Sequence, residues 1–199
     1  PQQASPLAHC TANRGGGVGM TVTKAVWHQI ESNDHRLMKH VHRWRAPRWF
    51  RILMIAATRG GDGWLWYALA LILVIYGGEH RFAAIGAGVS AAVVSIFLFR
   101  ALKHASHRKR PCEIEPHCWS RILPPDKYSF PSGHSITAFS IAISIGLFYP
   151  QLQAPLLAVA ALIAGSRIIL GMHFLSDVLA GSTIGAVLGV MSFHIFAAL

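Results

Sequence analysis

Three short clusters in the second half of the chain combine residue types that can handle a phosphate group. Lys103 precedes Arg110-Pro111, Pro131-Ser132-Gly133-His134 comes next, and Ser166-Arg167 is followed by His173 and Asp177. As patterns these read K-x6-R-P, P-S-G-H and S-R-x5-H-x3-D. A phosphate ester must have its charge spread and its oxygens held before a nucleophile can approach. Lys103, Arg110 and Arg167 supply positive charge, the two arginines through a planar fork that matches phosphate oxygens. Ser132 and Gly133 precede a predicted helix start, where a hydroxyl and backbone N–H groups can point at an anion. Glycine there lets the anion come close to the backbone. Such a basic cradle can do the electrostatic work that a metal ion does elsewhere. Asp177 lies four residues beyond His173, so one helical turn brings its carboxylate near the imidazole.

These clusters stand at the ends of apolar runs, which must position them. Membrane spans are predicted at Gly63–Gly78, Phe82–Phe99, Ser132–Tyr149, Leu152–Ile169 and Phe174–Leu199. Several are near the short limit for crossing a bilayer, so tilt or burial in protein must help. Trp64 and Trp66 open the first as interface anchors. The second span ends just before Lys103, His134 opens the third, the fourth closes on Ser166-Arg167, and His173 and Asp177 begin the fifth. Alternating spans therefore return every cluster to one membrane face. Gly181, Gly185 and Gly189 clear one side of the last span for close helix contact, within the bundle in preference to a dimer face.

Upstream, Lys24 to Phe50 carries Trp27, Trp44, Trp49, His35, His40 and His42. It reads as an amphipathic helix at the membrane interface, broken near Pro47, with a solvated basic arm as the alternative. The run Ile52–Thr58 reaches only about 10 Å as a helix, against about 30 Å of bilayer core. Residues 1–19, with a run of glycines at 15–17, read as a disordered tail or a cloning remnant, with Met20 as the true start. Residues 20–199 are then one membrane-embedded domain. The predicted fold class is all-α: an integral membrane helix bundle with five or six transmembrane helices and an N-terminal amphipathic helix.

The bulk composition agrees. Of 199 residues, 53% are apolar and 13% charged, as in an integral membrane protein. The net charge of +10 sits beside apolar runs, which favours anionic lipid headgroups over nucleic acid. Cys112 and Cys118 read as free thiols or a small-loop disulfide; a metal site with His117, Glu113 and Glu115 matches no zinc spacing. Taken alone, Lys103, Arg108, Lys109 and Arg110 also read as orientation charges beside a span. His104, His107, His117 and His194 read as interface or core histidines.

With identities, order and spacings together, the region from Leu102 to Leu199 resembles the type 2 phosphatidic acid phosphatase superfamily. The resemblance implies a metal-independent lipid phosphatase without a cofactor. His173 would be the nucleophile that forms a phosphohistidine, and Asp177 would fix its tautomer. His134 would protonate the leaving oxygen and then activate water. Lys103, Arg110, Ser132, Gly133 and Arg167 would bind the phosphate. This division of labour requires a neutral His173 and a protonated His134, hence a bell-shaped pH profile. Vanadate, which resembles five-coordinate phosphorus, is the inhibitor implied. Soluble acid phosphatases and vanadium haloperoxidases share the motifs, but this chain is too apolar to join them.

Membrane-level motifs favour a lipid-borne phosphate in a bacterial inner membrane. Undecaprenyl diphosphate is weakly preferred over phosphatidylglycerophosphate and phosphatidic acid, because the motifs read phosphate and not tail. Trp119, Arg121, Asp126, Lys127 and Tyr128, in the loop after Arg110, either select the headgroup or cover the site. A lipid phosphotransferase and a non-catalytic membrane scaffold are the competing classes. Five spans with a basic segment on the site's side make that side cytoplasmic by the positive-inside rule; insertion of Ile52–Thr58 would turn it to the periplasm.

Overall fold

A computed structural model describes residues 22–44, 46–114 and 127–199. All regular elements among the described residues are helical: α1 Val22–Arg43, α2 Arg48–Gly60, α3 Trp64–Tyr76, a 3-10 turn at Gly78–His80, α4 Arg81–Ser106, the short α5 Pro111–Ile114, α6 Gly133–Phe148, α7 Pro150–Ile169 and α8 Leu175–Ala197. Among the described residues, three stretches are long and apolar enough to cross a membrane, Gly78–Glu113, Pro150–Ile169 and Leu175–Ala197, and α3 and α6 are shorter apolar helices. The large apolar side chains exposed on the bundle, such as Leu71 and Ile72 on α3, Phe97 on α4 and Met191 and Ile195 on α8, are those of a surface solvated by lipid. The protein is a multi-pass membrane protein.

Helix α6 is the centre, packed on α4, α7 and α8. Its buried positions are mostly small, including Ser135, Ala138, Ser140, Ala142, Ser144 and Gly146, so three neighbours can approach its backbone closely. The serines carry their hydroxyls into the bundle without orphaning them. Ser140 and Ser144 donate back to the carbonyls of Thr137 and Ile141 at 3.0 and 3.1 Å, and Ser95 on α4 donates to Ser140 at 3.2 Å. Ile141, Ile145, Ala160, Ile163, Leu73 and Trp66 form the main apolar core where α3, α6 and α7 meet.

The glycine stripe of α8 faces α6. A Cβ at Gly185 would lie 2.3 Å from the Ile136 carbonyl oxygen, and one at Gly189 would lie 2.7 Å from that of Ser140. Gly185→Ala therefore has to push α8 off α6, at an expected cost of about 2–3 kcal/mol. Gly165 on α7 is the control, since its Cβ would meet nothing within 4 Å; Gly165→Ala is expected to be neutral or slightly stabilising. Thermal unfolding of the two variants in detergent checks the contrast.

Two boundaries differ from those predicted. Helix α4 continues to Ser106, so Lys103 lies in its last turn and not beyond its end. Arg48–Gly60 is a single thirteen-residue helix, so Arg48, Trp49 and Phe50, predicted as the end of the interfacial segment Lys24–Phe50, belong to α2. Met54 of α2 is buried against Leu170 and Met172, and Thr58 reaches Arg167. Helix α2 thus covers the C-terminal end of α7. Helix α3 then leads away from that end, as Tyr149 at the far end of α6 donates to the Gly77 carbonyl at 2.8 Å. The Cys112–Cys118 pairing, and the loop positions Trp119, Arg121 and Asp126, lie outside the described residues.

Candidate active site

Local backbone geometry explains the motif spacings. After α7 the chain turns at Gly171, whose φ of 68° lies in the left-handed region that glycine adopts without steric cost. The Arg167 carbonyl then accepts from Met172 N at 2.9 Å and from His173 N at 3.2 Å. The turn folds His173 back over the helix end that carries Arg167, which is the structural content of S-R-x5-H. Three residues into the last helix's first turn, the Asp177 carboxylate accepts from Phe174 N at 2.9 Å through Oδ2, satisfying a helix N-terminal donor. The Asp177 carbonyl accepts from Ser132 N at 3.1 Å, which ties P-S-G-H to the same point.

One cavity of about 470 Å³ collects the result. Lys103, Arg110, Gly133, His134, Arg167 and His173 line one end of it. Their side chains come from α4, the segment before α5, α6, α7 and the α7–α8 turn. Arg110 is fully buried and Arg167 is 3% exposed. Arg110 Nη1 donates to the Met172 carbonyl at 2.9 Å and lies 3.4 Å from His173 Nε2. Arg167 Nη1 donates to Thr58 Oγ1 at 2.7 Å. The Lys103 ammonium sits 5.3 Å over the Phe99 ring. A Cβ on Gly133 would lie 3.2 Å from that same ring, so glycine keeps the backbone close to the cradle.

His173 is the buried imidazole among these cations. Burial first, then Arg110, Arg167, Lys103 and His134, hold its pKa well below the usual imidazole value of 6.5. Its Nε2 faces Arg110, and its Nδ1 lies 3.6 Å from Asp177 Oδ2. That distance exceeds a hydrogen bond, so the expected Asp177–His173 bond is not closed in this structure. Asp177 Oδ1 instead accepts from Arg108 Nη1 at 2.6 Å.

Ser132 does not join the cavity wall. It is buried as the N-cap of α6, where its Oγ accepts from the Ser135 hydroxyl at 2.9 Å and from Ser135 N at 3.5 Å. Asp177 also stands behind the wall, in the layer that supports His173.

The structure adds residues that the motifs did not single out. Asp62, in the Gly60–Gly63 turn between α2 and α3, brings Oδ1 to 2.7 Å from His134 Nε2 and lines the cavity. Arg108, read from sequence as an orientation charge, is 9% exposed and bridges Asp177 to Asp34 of α1. The available signal was scarcity, since the chain has only 8 acidic residues against 18 basic ones. An acid between glycines at a span's start is conspicuous on that background.

Away from the cations the cavity becomes apolar. It runs down α4 past Phe99, Ile96, Ala92 and Ile85, between Trp66 and Ala70 of α3 and Ile141 and Ile145 of α6. At 1.5 Å per residue, the path along α4 from Lys103 to Ile85 is about 27 Å. Tyr67, Val89 and Val93 line it and are also exposed, so the cleft opens sideways toward lipid.

Residues 84–199 match the family model of the PAP2 superfamily. The chain is similar to a lipid A 1-phosphatase of Rhizobium johnstonii, 32% identical over 109 residues, which covers 53% of this chain and 45% of that protein. It thus spans under half of that relative's length. It is also similar to an undecaprenyl-diphosphatase of Sulfolobus acidocaldarius, 28% identical over 145 residues, covering 72% of this chain and 69% of the other. Among solved structures, a transmembrane PAP2-type phosphatidylglycerolphosphate phosphatase from Bacillus subtilis superposes with a TM-score of 0.70 at 23% identity, over 88% of this chain and 90% of that one, and so shares its fold. With the motifs, the helix order and the matched segment in agreement, the chain belongs to the PAP2 superfamily.

Proposed function

We propose that the protein is a membrane lipid phosphatase that hydrolyses a phosphomonoester or diphosphate through a phosphohistidine, without a metal ion. The observation that carries this reading is the shape of that cavity: three cations and two histidines at its head, and an apolar cleft open to lipid below them. A headgroup phosphate fits the first part while its tail remains in the second. The relatives' names support a lipid phosphate as substrate class.

In the proposed reaction the phosphate sits among Lys103, Arg110, Arg167 and the backbone at Gly133. His173 Nε2 attacks phosphorus, and the bond to the leaving oxygen breaks as that oxygen takes a proton from His134. Asp177 supports the charge that develops on His173, its contact tightening from 3.6 Å, as catalytic hydrogen bonds commonly do when substrate binds. Water then attacks the phosphohistidine, giving a proton back to His134. Inorganic phosphate leaves, and His173 returns to its neutral state.

Asp62 holds the His134 ring through the 2.7 Å contact. Asp62→Asn is expected to lower kcat about 10-fold and to change KM less than about twofold, because it disturbs proton transfer and not the cradle. Steady-state kinetics on one substrate decide this; a rise in KM alone would place Asp62 in binding instead.

Undecaprenyl diphosphate, in a bacterial inner membrane, is the substrate we favour, supported by the relative named for it. Phosphate release by purified protein in detergent with chelator present tests the reading. The panel is undecaprenyl diphosphate, phosphatidylglycerophosphate, phosphatidic acid and a lipid A 1-phosphate. Release that survives the chelator upholds metal independence and ranks the substrates. Release from none of them, with labelled phosphate moving instead to an added acceptor lipid, would make the protein a phosphotransferase.

A further inference from the structure

The N-terminal helix α1 reaches the supporting layer of the active site through a buried charged network. Asp34 is 5% exposed and Asp177 is fully buried, with the Arg108 guanidinium between them. Arg108 Nη2 donates to Asp34 Oδ2 at 2.7 Å, and Nη1 donates to Asp177 Oδ1 at 2.6 Å and to Ser176 Oγ at 2.7 Å. Asp34 Oδ1 accepts from Ser176 N at 3.2 Å, and the Ser176 hydroxyl donates to Asp34 Oδ2. Asp34 therefore caps the first turn of α8 from another helix, a task the apolar N-cap Phe174 cannot perform itself.

The same face of α1 is docked by packing. Met38, one turn after Asp34, is 1% exposed. The His35 ring stacks edge-on to Phe174 at 5.0 Å, next in sequence to His173. The Arg108 guanidinium lies 4.5 Å over Phe174 and 5.5 Å over Trp27 of α1. Arg108 is turned inward by His107, whose φ of 50° ends α4 in a left-handed residue.

We propose that Asp34 is a positioning residue for catalysis: α1 completes the active site by drawing Arg108's charge partly away from Asp177, which leaves Asp177 able to support His173. The inference rests on the phosphohistidine reading above. One guanidinium shared by two carboxylates leaves one negative charge in a poorly screened environment. Without Asp34 the whole Arg108 charge falls on Asp177, and the imidazolium-like charge on His173 loses its counter-charge. The other charged or titratable groups facing His173 are Lys103 from α4, Arg110 before α5, His134 from α6 and Arg167 from α7; all are unchanged by substitution at Asp34.

The test is the pH profile of kcat/KM with phosphatidic acid in detergent, the same substrate for every variant so that its own ionisation cancels. Asp34→Asn keeps one acceptor, for Ser176 N–H, and replaces by an amide donor the oxygen that takes Arg108 and the Ser176 hydroxyl, so the charge and its ion pair with Arg108 go together. Its kcat is expected to fall about 10-fold with KM unchanged, and its acid limb to move about half a unit to lower pH. The double variant Asp34→Asn/Arg108→Gln leaves the Asp177 charge undivided, and its acid limb is expected above the wild-type position. A merely structural cap would lower the unfolding temperature and leave the limbs in place. Limbs that do not move, or that move the same way in both variants, overturn the proposal. Should the single variant fail to fold, the double decides alone: a limb above wild type upholds it, and one at or below overturns it. His173→Ala is run alongside. If that variant still turns over, the phosphohistidine reading falls; if it is inactive and the limbs stay put, only the role of Asp34 falls.

Discussion

His173→Ala is expected to abolish phosphate release, lowering kcat by at least about 10⁴-fold, the scale lost when a covalent nucleophile is removed. The variant should still fold. The His173 imidazole forms part of the cavity wall, so its removal enlarges an existing space and leaves no buried partner stranded in a packed core. The turn that carries it is held by backbone hydrogen bonds to the Arg167 carbonyl, which alanine retains. Unchanged thermal unfolding together with lost turnover would locate the defect in chemistry. Turnover within tenfold of wild type would remove the nucleophile assignment.

The same residue sets a pH expectation whose sign follows from its surroundings. The proposed nucleophile His173 must be neutral to attack, and burial among Arg110, Arg167, Lys103 and His134 disfavours the charged form. Protonation then requires a pH below the ordinary imidazole value of 6.5. Activity governed by the free enzyme should hold as pH falls through 6.5 and be lost only below it, so the acid limb of kcat/KM lies under 6.5. A bound phosphate adds negative charge beside the ring and favours the imidazolium, so the acid limb of kcat should lie above that of kcat/KM. An acid limb of kcat/KM at or above 6.5 that stays in place between two lipids whose phosphates ionise differently would contradict the environment described.

Much of the fold could be read from the chain because bilayer crossing needs long apolar runs, and such runs are local. The helices α6, α7 and α8 begin within two residues of the predicted spans. Helix ends were harder. The extension of α4 through Lys103 depends on a basic side chain lying along the bundle with its ammonium over Phe99, which hydropathy alone counts as an end. In the site, residues grouped by a motif were visible because the motif itself is local. Asp34, Arg108 and Asp62 were not, since their partners lie 142, 69 and 72 residues away, and no spacing encodes such pairs. Ser132 is a different case: its type suits a phosphate ligand, and at the helix start its Oγ accepts from the Ser135 hydroxyl.

Arg110→Lys is the second large expectation, a fall in kcat/KM of about 10²–10³-fold with the positive charge retained. Arg110 is fully buried. Its Nη1 already donates to the Met172 carbonyl, which fixes the guanidinium plane, and the same nitrogen lies 3.4 Å from His173 Nε2. A fork held in this way can grip the loop before His173 and still present N–H groups to a phosphate placed for attack by His173 in the proposed reaction. A lysine ammonium is a point donor on a flexible stem and cannot span both positions. Losing about two charge-assisted hydrogen bonds to the reacting phosphate corresponds to roughly 3–4 kcal/mol of transition-state stabilisation, which is the fold-change stated. The vanadate inhibition constant should rise with the loss in kcat/KM, since vanadate occupies the same geometry as the transition state, while KM for a lipid held by its tail should change much less. A lysine variant within about threefold of wild type would mean that Arg110 contributes charge alone, and the planar fork would have to be assigned to Arg167.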